Sequence, residues 1–202
     1  MKTKILGLIA LILTTVLAFS CRKDKVRYYK LTEIDYQMIP YKLGQTVNFV
    51  DSLGQSFVLT VIKDTITEGA IDTKYESIDR WLVSLKSELR NFWISLVIEE
   101  KWNFYKHISI TTSTFNSYSF LISYDNEGKF VTDTTSSFDK QYNYDSLEIN
   151  NKVYYDVVEN IICKAHTSHE NENKIPIGLL YNKTYGILQL ADKDKVLFTI
   201  DN

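Results

Sequence analysis

The chain has 202 residues, 45% of them hydrophobic and 13% aromatic, with 7 Gly, 2 Pro and a formal net charge of −2. That length supports one domain with a real core, and so little glycine and proline excludes a disordered or low-complexity chain. A mildly acidic balance without basic clusters excludes a protein built to hold nucleic acid.

Lys2 and Lys4 open the chain, Ile5 to Phe19 is uncharged and mostly apolar, and Ser20-Cys21 leads into Arg22-Lys23-Asp24-Lys25. A positive start, a short apolar run and a small residue before the break make a secretory signal. A spanning helix needs about 20 apolar residues, and this run is shorter. Leu17 to Cys21 resembles the lipobox of bacterial lipoproteins, in the loose form of Bacteroidetes-type bacteria. The resemblance implies cleavage before Cys21 and a diacylglyceryl group on its sulfur, and hence export. Arg22 to Lys25 lacks an aspartate-led inner-membrane retention pattern and only partly matches the lysine-plus-acids surface signal. The outer membrane is the expected address, with the periplasmic and surface faces both open. Residues 1–20 then form the signal peptide, 21–27 the anchor and a short tether, and 28–202 a single mainly β domain. With Cys21 lipidated, Cys163 is the second of 2 cysteines and no intramolecular disulfide forms.

Period-two alternation marks half-buried strands along the rest. Val47 and Phe49, then Phe57, Leu59 and Val61, flank the turn Asp51-Ser52-Leu53-Gly54 and predict a hairpin. Residues 74–90 carry two patterns. Tyr75, Ile78, Leu82, Leu85 and Leu89 have helical spacing behind a Thr73/Glu76 capping pattern, whereas Trp81, Val83 and Leu85 alternate. The strand is preferred, with one short helix as the rival. Tyr118, Phe120, Ile122 and Tyr124 share a strand face, opposite Ser117, Ser119 and Ser123, and Asp125 to Gly128 supply a turn. Asn150-Asn151 divides two further strands, and three close the chain with turns near Thr184–Gly186 and Asp192–Lys195. The fold expected is mainly β, a single antiparallel barrel or sandwich of roughly ten strands. Residues 41–49 (YKLGQTVNF) and 181–190 (YNKTYGILQL) resemble small cell-envelope lipoproteins of Bacteroidetes-type bacteria, which implies location and a mainly β form but no activity.

Cys163, His166, His169 and the adjoining Glu170 suggest a thiolate–imidazole metal site. The alternation of Val157, Ile161 and Cys163 instead points to a buried thiol, and the histidines sit in a polar run, so no metal and no cofactor is expected. There is no G-x-S-x-G elbow and no glycine-rich phosphate loop. His107 is expected at solvent or beside a sheet neighbour. Glu99 and Glu100 are adjacent on a strand, so they point to opposite faces. Asn182-Lys183-Thr184 is a sequon, and Asp51-Ser52-Leu53, Asp64-Thr65-Ile66, Asp133-Thr134-Thr135 and Asp145-Ser146-Leu147 resemble an O-glycosylation pattern of Bacteroidetes-type exported proteins. Both patterns are short enough to arise by chance. The function expected is a non-catalytic binding or interaction module held at the membrane by its lipid. Its partner would be an envelope protein, a glycan or a small apolar ligand, with Tyr118, Phe120, Tyr124, Tyr154 and Tyr155 as candidate lining or, more simply, core. The alternative is an envelope hydrolase acting on glycan or peptide through acids in a cleft.

Overall fold

A computed structural model describes residues 27–72, 76–88, 90–100, 106–113, 117–132, 139–162, 177–192 and 195–201. Strand β1 (Arg27–Tyr29) and helix α1 (Glu33–Gln37) precede a hairpin of β2 (Thr46–Asp51) and β3 (Ser56–Asp72). Four strands follow: β4 (Glu76–Lys86), β5 (Trp93–Glu100), β6 (Lys106–Ser113) and β7 (Ser117–Tyr124). Then come β8 (Asp139–Ile149), β9 (Lys152–Ile162), β10 (Ile177–Asn182), β11 (Gly186–Asp192) and β12 (Lys195–Ile200). All twelve belong to one sheet, in which eleven follow the order β7-β6-β5-β4-β3-β2-β12-β11-β10-β9-β8 and β1 lies off that path. Neighbours along that path are antiparallel, while β1 joins β4 in parallel at Arg27–Glu76. The expected mainly β form is therefore found, with more strands than expected and one parallel pair.

Local chemistry fixes the turns. Asp51 Oδ1 accepts the N–H groups of Leu53 and Gln55, both at 2.9 Å, and Gly54 takes the positive φ that closes the loop. Asp125 Oδ1 repeats this with Glu127 and Lys129, again with glycine, Gly128, at positive φ. Asn150 and Asn151 both have positive φ, the two-residue turn that matches strand twist.

Residues 74–90 follow the strand pattern where they are described. Trp81, Val83 and Leu85 are buried on β4, and β4 pairs with β3 on one side and β5 on the other. Glu76, the acid of the Thr73/Glu76 pattern, begins the strand. The capping box that forms is at Thr32, ahead of α1, with Asp35 as its acid. On β9 the core-facing set beyond Asp156 is Val158, Asn160 and Ile162, with Ile161 only half-buried. The face expected from Val157 and Ile161 is therefore corrected at Ile161, although Val157 is itself buried.

The sheet curls until its outer strands meet, giving a nearly closed barrel whose seam is made by side-chain amides. Gln141 Oε1 on β8 accepts Ser123 N–H on β7 at 2.8 Å, and Gln141 Nε2 donates to Ser123 O at 2.9 Å. Asn160 Nδ2 donates to Leu121 O, and Asn143 Nδ2 to Phe130 O. Gln141 thus presents the donor and acceptor that a neighbouring strand would supply to a sheet edge. The interior is packed, with Leu59, Val83, Leu96, Ile110, Phe120 and Leu190 fully buried.

The barrel has two ends. The upper end carries α1, the first residues of β4 and β6, and the β8–β9 and β10–β11 turns. The lower end carries the β2–β3 and β4–β5 turns and the first residues of β7 and β12.

Candidate functional site

Chemistry gathers at both ends. At the upper end Asp35 of α1 is fully buried, and Lys106 at the start of β6 reaches it, Nζ to Oδ2 2.8 Å and to Oδ1 3.0 Å. Tyr124 donates to Oδ1 at 2.8 Å, and the Thr32 hydroxyl donates to Oδ2 at 2.8 Å. Burial pushes the Asp35 carboxyl up. The Lys106 ammonium, the Thr32 N–H and the two hydroxyls outweigh it and hold the group below its ordinary value. Asp79 on β4 is also buried, and it accepts from the Tyr28 hydroxyl at 2.7 Å and from Gly69 N–H at 3.1 Å. That hydrogen bond, with burial, raises the Tyr28 phenol to about 12. Asp35, Asp79 and Lys106 border a void of only about 10 Å³, room for a single water. The cluster is structural cement with no substrate-sized space.

The lower end is different. Phe49, Phe57, Phe92 and Phe198 form a ring cluster, with Phe198 edge-on to Phe49 at 5.1 Å, to Phe92 at 5.5 Å and to Phe57 at 5.9 Å. Phe49, Phe57 and Phe198 reach the interior by strand alternation, whereas Phe92 comes from the β4–β5 turn. That turn is held by Ser87 N–H to Phe92 O at 3.0 Å and Arg90 N–H to Ser87 Oγ at 3.2 Å. Outside the rings opens a groove of about 590 Å³, lined by Phe57, Phe92, Leu197 and Phe198 with Asp51, Arg90, Asn91 and Ser113 at its polar margin. The Arg90 guanidinium lies 4.6 Å from the Phe57 ring centre, and its Nη2 donates to Asp51 Oδ2 at 2.8 Å. Backbone N–H groups of the turn and the Arg90 guanidinium hold the Asp51 carboxyl below its ordinary range against a lesser effect of burial.

The aromatic residues singled out from the sequence do not line this groove. Phe120, Tyr124 and Tyr154 are core, Tyr118 packs half-buried against it, and Tyr155 stands exposed on β9. The residues that do line it lie on β2, β3, the β4–β5 turn, β6 and β12, and only long-range pairing brings them together. Cys21, Cys163, His166 and His169 lie outside the described residues. Among the described residues no three His, Cys, Asp or Glu side chains group as a metal site. His107 Nδ1 lies 2.9 Å from Ser123 Oγ, and Glu99 and Glu100 pair in register with His107 and Lys106. The sequon asparagine is used by the fold: Asn182 is buried, and its Oδ1 accepts Thr184 N–H at 2.7 Å and Tyr185 N–H at 3.0 Å. Ser52, Thr65 and Ser146 of the aspartate-led tripeptides are exposed, and Asp133 to Thr135 lie outside the described residues. No protein-family model matches the chain, and neither a curated protein nor a solved structure matches it.

Proposed function

We propose that the chain is an exported envelope lipoprotein, held at the outer membrane by lipid on Cys21, whose β domain is a non-catalytic binding module for a small apolar ligand. The observation that carries the binding reading is the lower groove. Its size lies within the usual range for ligand pockets, and it offers an apolar floor with a few polar groups on one side. The hydrolase alternative draws less support. Among the described residues lining the groove the one carboxylate is Asp51, whose oxygens are engaged by two N–H groups and Arg90, whereas glycoside hydrolysis uses two carboxylates across a cleft.

The anchor and the groove are compatible in space. β1 runs parallel to β4 and begins beside Glu76, so the chain before Arg27 leaves from the upper end. Residues 21–26 span at most about 20 Å, whatever their conformation. A lipid on Cys21 would then be tied within that reach of the upper end, which is opposite the groove.

Two measurements test the two halves. Fractionation of cells carrying the full chain is expected to find it with membranes and its Cys21→Ala variant in the soluble exported fraction. Equal membrane retention of the variant overturns the anchor. Titration of the soluble variant with N-phenyl-1-naphthylamine, a neutral apolar fluorophore, is expected to show one saturable site that Phe92→Ala weakens. Absence of saturable binding overturns the groove reading whatever the fractionation shows.

A further inference from the structure

We infer that the groove selects anionic amphiphiles, seating an apolar tail on Phe57, Phe92, Leu197 and Phe198 and a carboxylate head against Arg90. The inference rests on the binding reading above and adds the chemical class of the ligand.

The argument begins with the two charged groups at the groove margin. Asp51 is the less accessible, with 13% of its side chain exposed against 37% for Arg90. Both Asp51 oxygens are committed, Oδ1 to Leu53 and Gln55 N–H and Oδ2 to Arg90. A cationic ligand would have to compete with these donors for a carboxylate already satisfied three times. Arg90 is placed the other way. A guanidinium carries five N–H donors in a planar fork, and the bond to Asp51 occupies the Nη2 side. The guanidinium carbon lies over the Phe57 ring, which keeps the fork beside the apolar floor. A carboxylate matches that fork in shape and charge, and charge-assisted pairs are about twice as strong as neutral ones.

Asp51 offsets the Arg90 charge, so the preference rests on the guanidinium donors that the Asp51 bond leaves over, and the uncharged neighbours do not reverse it. Ser113 Oγ is turned toward the β5 backbone, accepting Trp93 N–H at 2.9 Å. Asn91 adds an exposed amide, able to donate to an anion as well as to a neutral head. The apolar floor holds acetate poorly, because a single methyl returns too little for the desolvation of the head. The ligand class that uses both halves is a molecule with one carboxylate and an apolar body of fatty-acid kind.

Displacement of N-phenyl-1-naphthylamine from the soluble Cys21→Ala full chain is the test, with octanoate and octyltrimethylammonium below their micelle concentrations, octanol below its solubility, and acetate. Octanoate is expected to displace the probe at a concentration about tenfold lower than octanol, the size of one charge-assisted hydrogen bond. Octyltrimethylammonium should be the weakest of the three tailed ligands, and acetate should have no effect. Arg90→Gln is expected to remove the advantage of octanoate over octanol, with an unaltered near-ultraviolet dichroism spectrum reporting an intact fold. Equal displacement by octanoate and octanol, preference for the cation, a carboxylate preference that survives Arg90→Gln, or failure of every tailed ligand to displace a bound probe overturns the inference. In each of those cases the probe still occupies the groove, so the binding reading stands. A probe that does not bind removes both.

Discussion

Each end of the barrel carries an aspartate paired with a cation at the same distance, 2.8 Å. At the upper end Asp35 is fully buried and the Lys106 side chain is 11% exposed, and the carboxylate has further donors in Thr32 and Tyr124. At the lower end Arg90 faces solvent over 37% of its side chain. Around Asp35 the barrel is stoppered. Met38, Ile39 and Tyr41 follow α1 into the interior, Tyr181 donates to Met38 O, and Tyr41 Oη accepts Ile187 N–H at 2.7 Å. Around Asp51 lies an open groove. Equal geometry therefore serves unequal ends. A desolvated pair locks a plug in place because neither member can be left alone, whereas a wet pair contributes little stability and leaves guanidinium donors over for a ligand.

The largest expected effect comes from breaking the buried pair. Asp35→Asn leaves the Lys106 ammonium desolvated without its counter-charge, which costs about 3–5 kcal/mol. Urea unfolding of the variant reads this directly. The pH dependence carries the same signature. The folded carboxyl titrates below its ordinary 3.8, so its contribution is fully present above that value. It is lost as pH falls from there through the lower folded pKa. The parent should lose stability in that acid window more steeply than Asp35→Asn, whose amide does not titrate. Parallel acid limbs for the two proteins would show that Asp35 is not held as a carboxylate.

The second effect tests the plug from the opposite wall. Gly186 has φ +78°, and a Cβ placed there would overlap the Tyr41 hydroxyl and ring. Gly186→Ala therefore combines a disfavoured left-handed residue with displacement of a buried ring. The expected loss is roughly 2–4 kcal/mol, measured again by urea unfolding. A near-neutral outcome would mean that Tyr41 moves freely, and the upper end would then be no tighter than the lower.

Much of this framework was legible in the sequence, and the difference between the ends shows why the rest was not. Strands announce themselves through neighbours two apart, so Val47/Phe49, Tyr118 to Tyr124 and the Asn150-Asn151 turn are readable locally. The conflict over residues 74–90 arose because Leu85 fits both periods, and pairing with β3 and β5 decided it. Helix α1 is only five residues long, too short for a periodic signal, although Thr32 and Asp35 carry a capping pattern like the one read at Thr73 and Glu76. Lys106 and Asp35 are 71 residues apart, and nothing near either one says that its charge will be buried. The groove is hidden for the same reason. Phe57 and Phe198 look like ordinary core residues in their own strands, Phe92 and Arg90 look like turn residues, and only the closing of the sheet makes them one surface.

The smallest effect on stability is expected where the effect on binding is largest. Arg90→Gln removes an ion pair on the wet side of the barrel and a stacking contact on Phe57, and Gln retains an amide that can still donate to Asp51. Asp51 keeps its two backbone donors, so its carboxylate stays hydrogen-bonded after the change. The urea midpoint of Arg90→Gln should accordingly stay close to that of the parent, well inside the shift produced by Gly186→Ala. The small difference that remains should fade as salt is raised, because exposed charges are screened within about 10 Å at 0.1 M salt. The Asp35 variant should show no such fading, its partner being out of reach of the ions. A loss for Arg90→Gln as large as that for Asp35→Asn, unmoved by salt, would mean that the lower end is as tightly built as the upper. Arg90 would then be a fastening of the β4–β5 turn, with no charge to spare for a ligand.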